Sequence, residues 1–176
     1  MGTGILVCGL NGSGKSTLGK ALAKRLDFHF IDNEDLFFPK TDPDYTYASP
    51  RPKSEVEKLL VNEVTAHENF VFAAVHGDYG KDIIALYDLA ILIEVPKDIR
   101  MLRVRDRSFQ KFGSRMLRGG DLYEQEEQFF QLVSSRPEDM TEKWLQTLRC
   151  PVIRADGTKP IEENITIILK QIKQIN

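Results

Sequence analysis

Gly9-Leu10-Asn11-Gly12-Ser13-Gly14-Lys15-Ser16 matches the pattern GxxxxGK[ST] at every fixed position. The residue types suit one task. Glycines let the backbone wrap closely around an anion, so that successive N–H groups point inward as a nest. A helix opening at the loop adds unpaired donors and partial positive charge at its N-terminus. Lys15 can reach the β- and γ-phosphates of a nucleotide, and the Ser16 hydroxyl can ligate Mg²⁺. The context agrees: Ile5 to Cys8 is a short apolar run, and Lys15 to Leu26 carries Leu18, Ala21, Leu22 and Leu26 at helical spacing.

Outward from this loop the chain alternates strand and helix. Phe28–Ile31 reads as a second strand, Phe70–Val75 as a third, Leu89–Val95 as the most apolar and therefore central strand, and Val152–Ala155 as a fifth. Ser54 is expected to cap a helix running to about His67, with Glu57 completing a capping box. Further helices are expected over about Lys81–Tyr87, from Pro96 to about Phe112, over Tyr123–Ser134 and Glu138–Leu148, and from Pro160 onward. The pattern predicts a three-layer α/β/α fold with a five-stranded parallel sheet, its ligand loops gathered at the carboxyl ends of the strands.

The 176 residues suit one domain, and 41% apolar with 28% charged residues is a globular composition. A net charge of −2 argues against nucleic acid or an anionic membrane as partner. Cys8 and Cys150 sit beside apolar runs with no CxxC pair, which predicts reduced, buried thiols. No segment reaches the roughly 18 apolar residues of a membrane span, and no signal peptide is evident, so a cytoplasmic protein is expected. The base-reading NKxD of switch GTPases is absent.

One stretch is strongly basic: Arg100 to Arg118 holds six arginines and Lys111. Phosphoryl transfer needs positioning and positive charge more than covalent chemistry. A mobile loop carrying Arg103, Arg107, Arg115 and Arg118 can close over a γ-phosphate and exclude water. Arg100 and Arg105 are expected on the surface.

Pro96 followed by Arg103 and Arg107, the arginine-rich loop to Arg118, and Asp156-Gly157-Thr158-Lys159-Pro160 together resemble the small P-loop kinases: nucleoside monophosphate, shikimate and gluconate kinases. The resemblance covers most of the chain and is nearest to a group of uncharacterised bacterial AAA-type ATP-binding proteins related to adenylate kinase. It implies a P-loop NTPase fold over 1–176, with an acceptor-binding insertion at about 36–67 and a lid at about 108–121. It also implies Mg-ATP bound by Gly9, Asn11, Gly12, Ser13, Gly14, Lys15, Ser16 and Thr17. Adenine would lie near Gly157 and Pro160, and Arg103 would join the nucleotide site. Lys15, Arg107 and Arg115 are the expected cationic catalytic residues.

The metal and acceptor side departs from the family. Where shikimate and gluconate kinases carry D-x-D, this chain has Asp32-Asn33-Glu34-Asp35, which offers Asp32 two partners, Glu34 or Asp35. Ser16 and Asp32 are the expected Mg²⁺ residues, and Asp35 is placed as catalytic and acceptor-binding. Tyr45, Tyr47 and Arg51 could grip a nucleobase and phosphate, or pack as a loop. Asp78, in His76-Gly77-Asp78-Tyr79-Gly80, is placed on the acceptor-binding side as a metal partner or a base, the alternative being a helix cap. Asp121 after Gly119-Gly120 either caps the next helix or belongs to the lid. The expected function is phosphorylation of a small molecule, a nucleoside monophosphate or a hydroxyl metabolite, by a monomer or homodimer. The rivals are a nucleotide-binding regulatory protein with slow ATP hydrolysis and a polynucleotide kinase.

Overall fold

Among the described residues five strands, β1 (Gly4–Cys8), β2 (His29–Asp32), β3 (Phe70–Ala74), β4 (Tyr87–Glu94) and β5 (Val152–Asp156), form one parallel sheet in the order β2-β3-β1-β4-β5. The structure, a computed structural model, describes residues 2–175. Every residue of β1 and β3 is buried, as expected for parallel strands covered on both faces. The central place falls to β1 rather than to the more apolar β4, which lies one position over and pairs with both β1 and β5. Edge strand β5 buries only alternate residues.

Among the described residues, eight α-helices cover the sheet: α1 (Lys15–Leu26), α2 (Asn33–Phe37), α3 (Lys53–Ala66), α4 (Lys81–Ile84), α5 (Lys97–Phe112), α6 (Tyr123–Ser135), α7 (Met140–Leu145) and α8 (Ile161–Ile175). Alternation along β1 divides the core in two. Leu6 and Cys8 face Val56, Leu60 and Val64 of α3, with Phe72 and Leu92. Ile5 and Val7 face Leu18 and Leu22 of α1 and Ile165 and Ile168 of α8. A third cluster, Val104, Met116, Phe130 and Val133, joins α5 to α6 around the basic stretch. Cys8 and Cys150 are both free; burial pushes the Cys8 thiol up to about 12, whereas Cys150, expected to be buried, is only half-buried. Among the described residues, no helix is long and apolar enough to cross a membrane.

Several local expectations are corrected. The Ser54–Glu57 capping box does not form. Pro52 occupies the cap position, and its carbonyl accepts from the N–H groups of Glu55 and Val56, which brings Ser54 inside the helix. Within the expected arginine-rich loop the chain tightens into a 3₁₀ turn over Gly113–Met116, drawn in by the buried Met116. Helix α4 stops at Ile84 because Tyr87 already belongs to β4, and α7 is shorter than expected at both ends.

Candidate active site

The loop after the central strand is built by backbone geometry. Gly12 and Gly14 hold φ of 82° and 92°, in the left-handed region. A Cβ on Gly12 would stand 2.3 Å from the Arg100 carbonyl oxygen, and one on Gly9 would stand 2.8 Å from that of Ile93. Neither obstacle is a movable side chain. The loop thus lies flat against β4 and α5, and Leu18 N–H donates to Gly14 O as α1 begins. Ser13 Oγ is buried inside the loop without a hydrogen-bond partner among the described residues.

Lys15 and Ser16 open into a cavity of about 680 Å³ that Asn11, Asp32, Glu34, Arg107 and Arg136 also line. Burial, and then the positive charge of Arg107, pushes the Lys15 ammonium down to about 8; Asp32 and Glu34 act in the opposite sense. The Asp32 carboxylate caps α2 by accepting the Glu34 N–H at 2.9 Å. The aromatic side chains of Phe37, Phe38, Tyr45, Tyr47 and Phe129 line the same cavity. Tyr47 Oη donates to Glu34 Oε1 at 3.1 Å, and Lys111 Nζ stands 4.2 Å from the centre of the Tyr47 ring. Burial and the Glu34 charge raise the Tyr47 phenol well above its ordinary value. Tyr45 Oη donates to Glu126 Oε1 at 2.8 Å, and Glu126 is 1% exposed.

Of the residues singled out in the sequence, Asn11, Lys15, Ser16, Asp32, Glu34, Tyr45, Tyr47 and Arg107 converge on this cavity. A separate cleft of about 310 Å³ gathers Ser13, Gly14, Thr17, Arg103, Gly157 and Pro160. Arg103 donates to the Gly157 carbonyl at 3.0 Å and to that of Gly12 at 3.4 Å, tying the β5–α8 turn to the loop. Gly157 permits that approach, since a Cβ there would lie 2.7 Å from Ser13 O.

Other residues lie elsewhere. Asp35 is exposed and paired with Lys40; the helix starts at Asn33, so the cavity receives Glu34 and the next residue turns outward. Of the two pairings open in the sequence, Asp32 with Glu34 is the one that faces the cavity. Arg51 pairs with Glu55 and donates to Leu36 O at 2.7 Å, and so braces α2 against α3. Asp78 is exposed outside the cavity, and Arg118 is exposed too. Arg115 also lies outside the cavity lining: it makes a two-pronged pair with Asp121, at 2.6–3.2 Å, and donates to the Asp44 carbonyl at 2.8 Å. Asp121 is therefore a partner of Arg115 and not a helix cap. Leu122 occupies the cap position of α6.

Arg100 is the clearest reversal. It is 3% exposed, donates to Val95 O at 3.1 Å and Asn11 O at 3.3 Å, and grips Glu138 with two bonds of 2.8 and 2.7 Å. Arg105 is exposed as expected, paired with Glu127. Arg136 belongs to no sequence motif; it ends α6 just ahead of Pro137, and the Arg136 guanidinium donates to Asn11 Oδ1 at 2.5 Å. A further cavity of about 570 Å³, lined by Arg100, Glu138 and Arg154, takes only Leu10 from the loop.

A glycine-built loop after the central strand of a parallel 2-3-1-4-5 sheet, with its lysine in a polar cleft, defines a kinase-like P-loop nucleotide-binding protein. The sequence matches the AAA domain family over residues 5–111. It is 30% identical over 173 residues, 94% of each chain, to the uncharacterized protein YqaC of Bacillus subtilis. The chain belongs to this AAA domain family. A shikimate kinase of Rippkaea orientalis is 54% identical over 80 residues, 43% of each chain. The shikimate kinase of Acinetobacter baumannii superposes with a TM-score of 0.59 at 16% identity, over 99% of this chain and 94% of the other. The gluconokinase of Sinorhizobium meliloti gives 0.58 at 16% identity, over 98% and 93%. These superpositions show the shared fold.

Proposed function

We propose that the protein transfers the γ-phosphoryl group of Mg-ATP to a hydroxyl group of a small molecule seated in the 680 Å³ cavity. One observation carries this reading: Lys15 and Ser16 of the loop open into the same cavity as the carboxylates Asp32 and Glu34 and a group of aromatic side chains. The cavity size is that of a site for a small metabolite.

In this reading the loop N–H groups hold the phosphates, and Lys15, Arg107 and Arg136 place positive charge where charge develops during transfer. Adenine occupies the cleft between Arg103, Thr17, Gly157 and Pro160. The donor set suits Mg²⁺: the Ser16 hydroxyl and the Asp32 carboxylate are hard oxygen ligands beside the loop. Bound there, the ion would offset charge on the β- and γ-phosphates. Glu34 orients the acceptor hydroxyl and takes its proton as the bond to phosphorus forms. Two carboxylates in the cavity favour a hydroxyl over the already anionic phosphate of a nucleoside monophosphate. The relatives named shikimate kinase and gluconokinase support the same class of acceptor. Segment 108–121 acts as the lid, and its Lys111 and Arg115 already touch Tyr47 and the Asp44 carbonyl of segment 36–67.

The test is ADP release from Mg-ATP across shikimate, sugar acids, nucleosides and nucleoside monophosphates. A hydroxyl acceptor that raises turnover by at least about a hundredfold is expected. A flat panel with ATP binding intact would contradict the reading and favour a nucleotide-binding regulatory protein.

A further inference from the structure

Away from the nucleotide loop, at the opposite end of β2, the side chains of His29, Glu63 and His67 come together. One ligand atom from each lies within 4.8 Å of the other two. His29 Nε2 and Glu63 Oε2 are 2.7 Å apart, and the two imidazole rings stack at 3.6 Å with 13° between their planes. The backbone fixes this meeting. Glu63 and His67 are one helical turn apart at the end of α3, where the His67 N–H donates to Glu63 O, so both side chains project from one face. His29 opens β2, and its N–H donates to Asn69 O at 3.0 Å.

We propose that His29, Glu63 and His67 form a binding site for a divalent transition metal of the zinc class. Two imidazoles and one carboxylate are a recognised donor set for zinc, and a helical i, i+4 pair with a third ligand from a neighbouring strand can face a single ion. Metal–ligand bonds of about 2.0–2.2 Å in a tetrahedral site place donor atoms roughly 3.3 Å apart. To bind one ion the His29–Glu63 contact must open slightly and the two stacked imidazoles must turn out of parallel, since each ring nitrogen donates in its own ring plane; His67, exposed at the end of α3, has the room to turn. Glu63 and His29 are half-buried and His67 is exposed, so an ion can enter from solvent and keep water in its fourth position. The site is distinct from the magnesium site above: its ligands include nitrogen, and three residue steps of β2, about 10 Å, separate His29 from Asp32. Occupancy would clip the end of α3 to the start of β2.

The experiment uses tag-free full-length protein titrated calorimetrically with Zn²⁺ in excess Mg²⁺, alongside His67→Ala, Glu63→Gln and the double variant His29→Asn/His67→Ala. Melting curves in chelator check that each variant is folded. One Zn²⁺ per chain is expected for the wild type, with affinity at least about tenfold weaker in each single variant and binding lost in the double variant. Co²⁺ should give visible ligand-field bands that vanish in the same variants. Absence of one-to-one binding by the wild type at about 100 µM Zn²⁺, or equal affinity in the folded double variant, would overturn the proposal.

Discussion

Replacing Arg100 with methionine should destabilise the fold more than any other single arginine change on α5. The side chain is 4% exposed and its guanidinium makes four hydrogen bonds, two to backbone carbonyls and two to Glu138. Methionine keeps most of the apolar stem but none of the donors. The buried Val95 carbonyl loses its side-chain donor, at about 1–2 kcal/mol, and the Asn11 carbonyl, partly open to water, at about 1 kcal/mol. Glu138 is 54% exposed, so its freed carboxylate rehydrates and the lost pair contributes only about 1 kcal/mol. The sum is about 3–4 kcal/mol, which for a chain of this size lowers Tm by about 10 °C. Arg25→Met, at an exposed pair with Glu162, serves as the surface control and should move Tm by no more than about 3 °C. Melting curves of the nucleotide-free proteins decide the matter. A Tm for Arg100→Met within about 3 °C of wild type, or equal to the control, would refute the view that this residue locks α5 to the loop.

Lys15 titrates near 8 in the fold against 10.5 ordinarily, so between these values the unfolded chain binds more protons and stability rises with pH. Nucleotide-free Lys15→Met, which lacks that titration, should melt higher than wild type at pH 7, with the gap closing towards pH 10; a gap constant across pH would contradict the shifted lysine. Glu34→Gln should reduce acceptor-dependent turnover by at least about tenfold with ATP affinity unchanged, while Asp35→Asn stays within about twofold; steady-state kinetics with both substrates varied will show whether the order is reversed. Gly12→Ala puts a Cβ against the Arg100 backbone at positive φ and should abolish ATP binding by calorimetry, whereas wild-type affinity would mean the loop is more pliable than its contacts imply.

The sheet was legible in the sequence because each strand is a short apolar run between glycines, prolines and amphipathic helices, and the nucleotide loop because its geometry demands glycine and lysine at fixed spacing. What sequence did not disclose depends on direction and distant partners. A periodic run of arginines on α5 reads as a solvated face, yet Arg100 turns inward because Glu138, thirty-eight residues later, supplies a counter-charge. Asp35 and Glu34 are chemically equivalent in the string, and only the capping of α2 by Asp32 decides which faces the cavity. Arg136 belongs to no local motif; it reaches Asn11 because α6 packs on α5 and ends beside the loop. The pairing of Arg115 with Asp121 follows from the tight turn at Gly119-Gly120, where a Cβ on Gly120 would lie 2.1 Å from the Arg115 carbonyl.

The most direct test of the central claim is to follow label from ATP radiolabelled at the γ-phosphate, with magnesium and the best acceptor of the panel present. Label appearing in a phosphate ester of the acceptor, at a rate that depends on acceptor concentration and is lost in Lys15→Met, is the predicted result. Label released only as inorganic phosphate, at the same slow rate with or without acceptor, would contradict phosphoryl transfer as the function of this site.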